Sequence, residues 1–338
     1  MTTSIRFVSV HRRMVMAACA AFATLATASS LHAQPANSYP QKPITIVVPF
    51  SPGGPFDLIA RALSSPLAKE LGQPVIVENA PGASGMIGTA KVARAQPDGY
   101  TLLLGSSGTQ ALNPNVFQKV PYRSPQDFVA ISELASIPSI LMVPVNSRFR
   151  SVEELVQHIR QNPENVTLGN AGAGSVSNQA ALTFLGSFGG KVTPVPYKGT
   201  APAMVDLIGG QIDALFDAAI QALPQIKSGK VRALAVTSFD RIQSLPNVPT
   251  LAQSCCKNAE LMIWYGLLAP TGLPTEIQEI LQKAVMKARA DQSFIRAMQS
   301  GEAQLPQANA GSVEFADKIS ADVKRLADLV RVTGFKKQ

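Results

Sequence analysis

Short β-branched runs alternate with helical stretches along most of this chain, and that alternation limits the folds open to it. Ile44-Thr45-Ile46-Val47-Val48 leads into the turn Ser51-Pro52-Gly53-Gly54. From about Phe56 to Leu71, the residues Leu58, Ile59, Ala62, Leu63 and Leu67 recur at three- and four-residue spacing, which predicts a helix with one apolar face. Pro66 should kink this helix and Gly72 should end it. Val75 to Val77 reads as a strand, Ile87 to Ala95 as a helix and Thr101 to Leu104 as a strand. This βαβαβ order predicts a parallel sheet with helices packed on it.

The pattern resumes beyond a crossover strand at Ile140-Leu141-Met142-Val143. Ser151 and Glu154 have the spacing of a capping box and open a helix to about Gln161. Strands are expected at residues 166–168, 192–195, 212–216 and 231–236, with helices at 175–188, 201–208 and 220–228 between them. A return strand at Tyr265 to Leu268 precedes a helical tail over 274–290, 293–299 and 313–332. Two α/β blocks in series leave a cleft between them, and ligands of open α/β sheets sit beyond the carboxyl ends of the strands.

The first 33 residues read as a secretory leader rather than as part of the fold. Arg6, Arg12 and Arg13 precede an uncharged, Ala-rich run from Met14 to Ala28, and Leu31-His32-Ala33 offers a small-residue cleavage site. That run is shorter than the roughly 20 apolar residues that span a bilayer. Removal of the leader takes away three Arg and no acidic residue, so the net charge of +8 falls by three. The remaining cations are scattered, with no basic stripe interleaved with aromatics, so nucleic acid is not an expected partner. Cys255 and Cys256 are adjacent; they could bond to each other, pair with another chain or remain buried thiols.

Histidine is nearly absent beyond the leader. Only His158 remains, within the helix that follows Ser151, so a Ser-His-Asp triad or a His-rich metal site would have to use this residue alone. Gly172-Ala173-Gly174-Ser175-Val176-Ser177 begins like a dinucleotide fingerprint but lacks its third glycine, and Gly82 to Lys91 lacks a P-loop ending. No catalytic residue, metal site or cofactor is therefore expected.

What remains is a set of small-residue loops that precede helices. The first is Ser51-Pro52-Gly53-Gly54-Pro55-Phe56-Asp57, in which Asp57 either caps its helix or meets a ligand. The second is Gly105-Ser106-Ser107-Gly108-Thr109 followed by Asn113, and the third is Asn170 to Ser175 with Asn178 one turn on. Free N–H groups and a partial positive charge make helix N-termini suited to anions such as carboxylates.

Several segments, taken in order, resemble the Bug-type substrate-binding proteins of tripartite tricarboxylate transporters. They include Tyr39-Pro40-Gln41-Lys42-Pro43-Ile44, Val48-Pro49-Phe50-Ser51-Pro52-Gly53-Gly54, Leu71-Gly72-Gln73-Pro74-Val75 and Pro97-Asp98-Gly99-Tyr100-Thr101-Leu102. Val77-Glu78-Asn79 with Pro81-Gly82-Ala83, Val195-Pro196-Tyr197-Lys198-Gly199, Arg232-Ala233-Leu234-Ala235-Val236-Thr237 and Gly266-Leu267-Leu268-Ala269-Pro270 complete the set. The chain departs from many relatives at Asn178, at Ala218 and at Ser254 to Asn258.

The resemblance implies an α/β fold of the two-lobed periplasmic-binding-protein type II (Venus flytrap) class. The expected parts are a signal peptide over 1–33, a discontinuous first domain over 34–139 plus 262–338, and a second domain over 140–261. It implies a monomeric solute-binding protein of the periplasm that captures a small carboxylate for the integral membrane subunits of a tripartite tricarboxylate-type transporter, and is not an enzyme. Signalling to a membrane sensor and a secreted enzyme are the alternatives. Carried over by position, the ligand would be met by Phe50, Ser51, Pro52, Gly53, Gly54, Phe56, Ser107, Thr109 and Asn113 of the first domain. Ala171, Gly174, Ser175, Tyr197, Lys198, Gly199 and Asp217 would meet it from the second, and the loops themselves add Asp57 and Asn178 as candidates.

Overall fold

The computed structural model describes residues 39–332 and 335–338, so the leader expected over 1–33 lies outside the described residues. One nine-stranded sheet runs through the molecule, in the order β2-β1-β3-β9-β4-β7-β5-β6, with β8 also paired to β4. Strands β1 (Ile44–Val48), β2 (Val75–Asn79) and β3 (Thr101–Ser106) pair in parallel, as their βαβαβ order demands. The sheet as a whole is mixed. Strand β9 (Met262–Pro270) runs antiparallel to both β3 and β4 (Phe128–Pro144).

Strand β4 is the spine. Its 17 residues exceed the four-residue crossover expected from the sequence, because Ser132, Glu133, Ser136 and Pro138 break the apolar pattern of its first part. Those residues are accommodated by partners from elsewhere: Lys318 reaches Glu133 and Ser136, and Arg289 reaches Ser132. The partners of β4 change midway. Phe128 to Pro138 pair with β9, whereas Ser139 to Pro144 pair with β7 (Ala214–Ala218) and β8 (Val231–Val236). At the change, Ser139 N–H donates to the Thr237 hydroxyl at 2.8 Å, and that hydroxyl donates to Leu261 C=O at 2.7 Å. Strands β5 (Thr167–Asn170) and β6 (Thr193–Pro196) extend the second half in parallel with β7.

The helices follow the expected positions to within a few residues. Helix α1 (Pro55–Leu71) places Pro at its first turn, contains Pro66 and ends on Gly72 with φ of 66°. Helix α2 (Met86–Ala93) follows β2, and a π-turn at Gly108–Leu112 runs into the short α3 (Asn113–Val116). In the second half lie α4 (Val152–Gln161), α5 (Val176–Gly186), α6 (Thr200–Ile208), α7 (Ala219–Lys227) and α8 (Leu251–Ser254). The Ser151 hydroxyl caps α4 by accepting from Glu154 N–H, but the Glu154 carboxylate takes the Arg150 N–H rather than that of Ser151.

The tail forms α9 (Thr275–Arg289), α10 (Gln292–Gln299) and α11 (Ser312–Val332). It returns to the first half: Phe315 and Ile319 of α11 pack with Val47, Leu103, Trp264 and Leu268 in a buried core. Trp264 also donates its indole N–H to Asp322 at 2.6 Å. Cys255 and Cys256 are bonded to each other, the first of their three sequence alternatives, and Cys256 is fully buried.

Candidate functional site

The loops at the carboxyl ends of strands in both halves meet face to face. Within the first, Gly53 takes a positive φ of 79°, which glycine adopts without strain, and its N–H donates to Asp57 Oδ2 at 3.0 Å. Arg61 Nε donates to the same oxygen at 2.9 Å, while Asp57 Oδ1 has no partner. Burial would raise the Asp57 carboxyl, but the hydrogen bonds from Arg61, Gly53 and Asn79 and the charge of Arg61 bring it below its ordinary value. Phe50 and Phe56 stack beside this loop with centroids 4.6 Å apart.

Across from it, the Ser51 N–H and hydroxyl both donate to Lys198 C=O, at 3.4 and 3.2 Å. Gly199 lies so close to Ser51 that an added Cβ would come within 3.2 Å of its Cβ and its N. Helices α1 and α6 therefore begin near the same point, each preceded by a glycine (Gly54 and Gly199) and neither with a side-chain cap on its first turn. Tyr197 turns its phenol to Asp206 at 2.6 Å, and burial with the adjacent Asp206 pushes that phenol up to about 12.

The second and third loops also face each other. Ser107 donates to Gln179 Oε1 of α5 at 2.7 Å. The backbone of Gly108 sits against Gly174 C=O, 2.9 Å from where a Cβ would stand, and Gly174 sits against the Asn113 side chain. Asn113 donates to Ser84 C=O and to the Tyr122 hydroxyl, and its Oδ1 has no partner. The Thr109 hydroxyl accepts from Ser106 N–H, and Thr109 C=O accepts from Tyr122, so Thr109 shapes the turn. Ser175 caps α5 by accepting from Asn178 N–H, and the Asn178 amide donates back to Ala173 C=O. Ala171 N–H is taken by the Ser177 hydroxyl.

Between the facing loops the inner cleft narrows to about 10 Å³, lined by Phe50, Gly54, Phe56, Ala171, Ser175 and Thr200 among others. That is at the lower limit for one water molecule, so the loops stand closed upon each other. A second, larger cavity of about 780 Å³ is bordered by Ser51, Ser84, Gly172, Tyr197, Lys198 and Gln338 among others. Asp217 is buried on β7. Its Oδ1 accepts the Ala218 N–H and its Oδ2 has no partner.

The closed arrangement also brings in residues that the sequence did not single out. Gln179, Gln110 and Tyr265 each place a buried polar atom at these loops without a partner, and Thr200 donates to Gln221 Oε1 beside Gly54. Thr200 alone carried a local signal, since it directly follows the Tyr197-Lys198-Gly199 segment. Among the described residues no group of three or more His, Cys, Asp or Glu is placed to hold a metal ion, and no helix is long and apolar enough to cross a membrane.

Two α/β halves threaded by one long strand, with glycine-rich loops closing on a cleft, define a two-lobed binding protein of the periplasmic type. Residues 59–334 match the family described as the tripartite tricarboxylate transporter family receptor, and the chain belongs to that family. It is 36% identical over 325 residues to a protein of Pseudomonas sp. strain P51, covering 95% of this chain and 94% of that one. It is 33% identical over 313 residues to Protein BugT of Bordetella pertussis, covering 92% and 95%. Among solved structures, periplasmic binding protein BugD superposes with a TM-score of 0.85 at 36% identity, covering 89% of this chain and 100% of that one. MatC of Rhodopseudomonas palustris with bound malate gives 0.84 at 32%, covering 86% and 100%. A further R. palustris protein with adipate gives 0.82 at 30%, covering 88% and 98%.

Proposed function

We propose that this chain is exported to the periplasm as a monomer, binds a small dicarboxylate between lobes formed by 34–139 plus 262–338 and by 140–261, and hands it to integral membrane transporter subunits. The observation that carries this reading is the meeting of two helix N-termini, α1 after Gly54 and α6 after Gly199, where Ser51 touches Lys198. First-turn N–H groups without side-chain caps hold an anion through fixed dipoles. Two such ends on opposite lobes give an anion differential affinity for the closed state, which is what drives closure. Lys198, at the border of the larger cavity, adds a positive charge there. The solved structures with malate and with adipate support a ligand of that kind, a short chain ending in two carboxylates.

Thermal shift and titration calorimetry on protein stripped of co-purified ligand test this. Malate, adipate, tricarboxylates, amino acids and aromatic acids form the panel. A rise in Tm and a one-to-one isotherm with at least one dicarboxylate are expected, and no response to any carboxylate would overturn the reading. Loss of uptake of that acid in cells lacking this chain tests the transport role.

A further inference from the structure

Asp217 is buried to 2% exposure beside Thr200, which lines the inner cleft, and among the described residues its Oδ2 has no partner. Around it stand the Thr200 hydroxyl at the start of α6, the Ala218 N–H and the phenol of Tyr265 from β9. That phenol is itself fully buried and unpartnered, and its ring meets Phe56 of the first turn of α1 edge-on, with centroids 5.0 Å apart. Two orphaned polar atoms from different parts of the sheet thus lie beside the helix ends assigned to the anion.

Among the described residues no ion pair joins a cation to Asp217, and Lys198 borders the larger cavity rather than the inner cleft beside Thr200. The neighbouring α5 and β5 carry no charged residue. On α1, Arg61 is bonded to Asp57, and Lys69 and Glu70 belong to the far end. Asp206 of α6 is bonded to Tyr197, Lys227 is the last residue of α7, and Glu133 of β4 is bonded to Lys318. Arg232 of β8 is spent on the carbonyls of Val145, Ser147 and Phe149.

An ionised carboxylate in this place would be desolvated, unpaired and close to a second anion, the costliest of its states. Protonation removes that cost and converts Oδ2 from an orphaned acceptor into a donor. Burial already pushes the Asp217 carboxyl up to about 7, and the nearby Thr200 hydroxyl and the Ala218 N–H offset only part of the rise. An arriving anion raises it further.

We infer that Asp217 enters the closed complex as a neutral acid and donates a hydrogen bond to the bound carboxylate, so that each anion captured brings one proton from solvent with it. This rests on the anion-binding reading of the cleft given above.

Titration calorimetry of the full chain with malate and with adipate at pH 8, in buffers of different ionisation enthalpy, counts the protons taken up. Both probes are fully ionised at that pH. Wild type is expected to take up close to one proton per ligand, and its affinity to fall by up to tenfold per pH unit above about pH 7. Asp217→Asn keeps a donor at this position, so it is expected to bind without proton uptake and with an affinity flat from pH 7 to 9. Wild-type binding with no proton uptake overturns the inference and leaves the cleft reading standing, as does an Asp217→Asn variant with undiminished uptake. If neither acid binds, the count is made with whichever panel carboxylate does, and no binding of any carboxylate overturns both. The wild-type proton count decides the matter even if the variant does not fold.

Discussion

The Ser107 hydroxyl and Gln179 Oε1 lie 2.7 Å apart, joining the loop after β3 to helix α5 of the opposite half. Both residues are buried, and Gln179 Nε2 has no partner, so this bond is the whole satisfaction of the Gln179 amide. It exists only while the two sets of loops are closed.

Ser107→Ala therefore removes a closing contact and leaves the Gln179 side chain without any partner. A net loss of about 1 kcal/mol is the ordinary value for such a bond. Calorimetry should read it as roughly five-fold weaker dicarboxylate binding, and small-angle scattering as a larger radius for the ligand-free variant.

Gly174→Ala acts on closure through sterics. The new Cβ would overlap the Asn113 amide of the opposite half, and Gly174 is not among the glycines held at positive φ. Each half accepts alanine there, but the closed pair does not. The variant should show a larger ligand-free radius in small-angle scattering and lose the Tm rise expected with a dicarboxylate. Gly108→Ala, whose Cβ would stand 2.9 Å from Gly174 C=O, should behave alike.

Asp217 makes the ligand-free fold sensitive to pH. Its carboxyl moves from 3.8 to about 7 on folding, chiefly by burial. A raised pKa means the folded state holds a proton that the unfolded chain has released. Its stabilising share is complete below pH 4, declines as pH rises through the window to 7, and is absent above it. The total is on the order of 4 kcal/mol. Asp217→Asn should flatten this decline, so its Tm should exceed that of wild type at pH 8 and approach it at pH 4.

Arg289 is a structural cation with no tie to the cleft loops. It donates to the Ser132 hydroxyl and to the carbonyls of Glu133, Gln307, Ala308 and Ala310, at 5% exposure. Arg289→Lys cannot reach all five acceptors, since an ammonium has three donors and no planar fork. Urea unfolding should report a loss of about 3 kcal/mol, from buried carbonyls left unpaired, with unchanged dicarboxylate affinity.

The sequence by itself determined most of the secondary structure, because periodicity, caps and turn residues act over a few neighbours. The apolar spacing of Leu58, Ile59, Ala62, Leu63 and Leu67, the Ser151 cap and the Gly72 stop reappear in α1 and α4. It also determined which loops hold the glycines that let backbones approach. Only the tertiary structure decided that β4 runs for 17 residues, because Glu133 and Ser132 are tolerated through Lys318 and Arg289, more than 150 positions away. The same holds beside the inner cleft. Asp217 and Tyr265 are 48 positions apart by number, and nothing local to either residue marks it as lacking a partner. An orphaned polar atom is defined by what fails to surround it, and that is settled only when distant strands and helix ends are packed together.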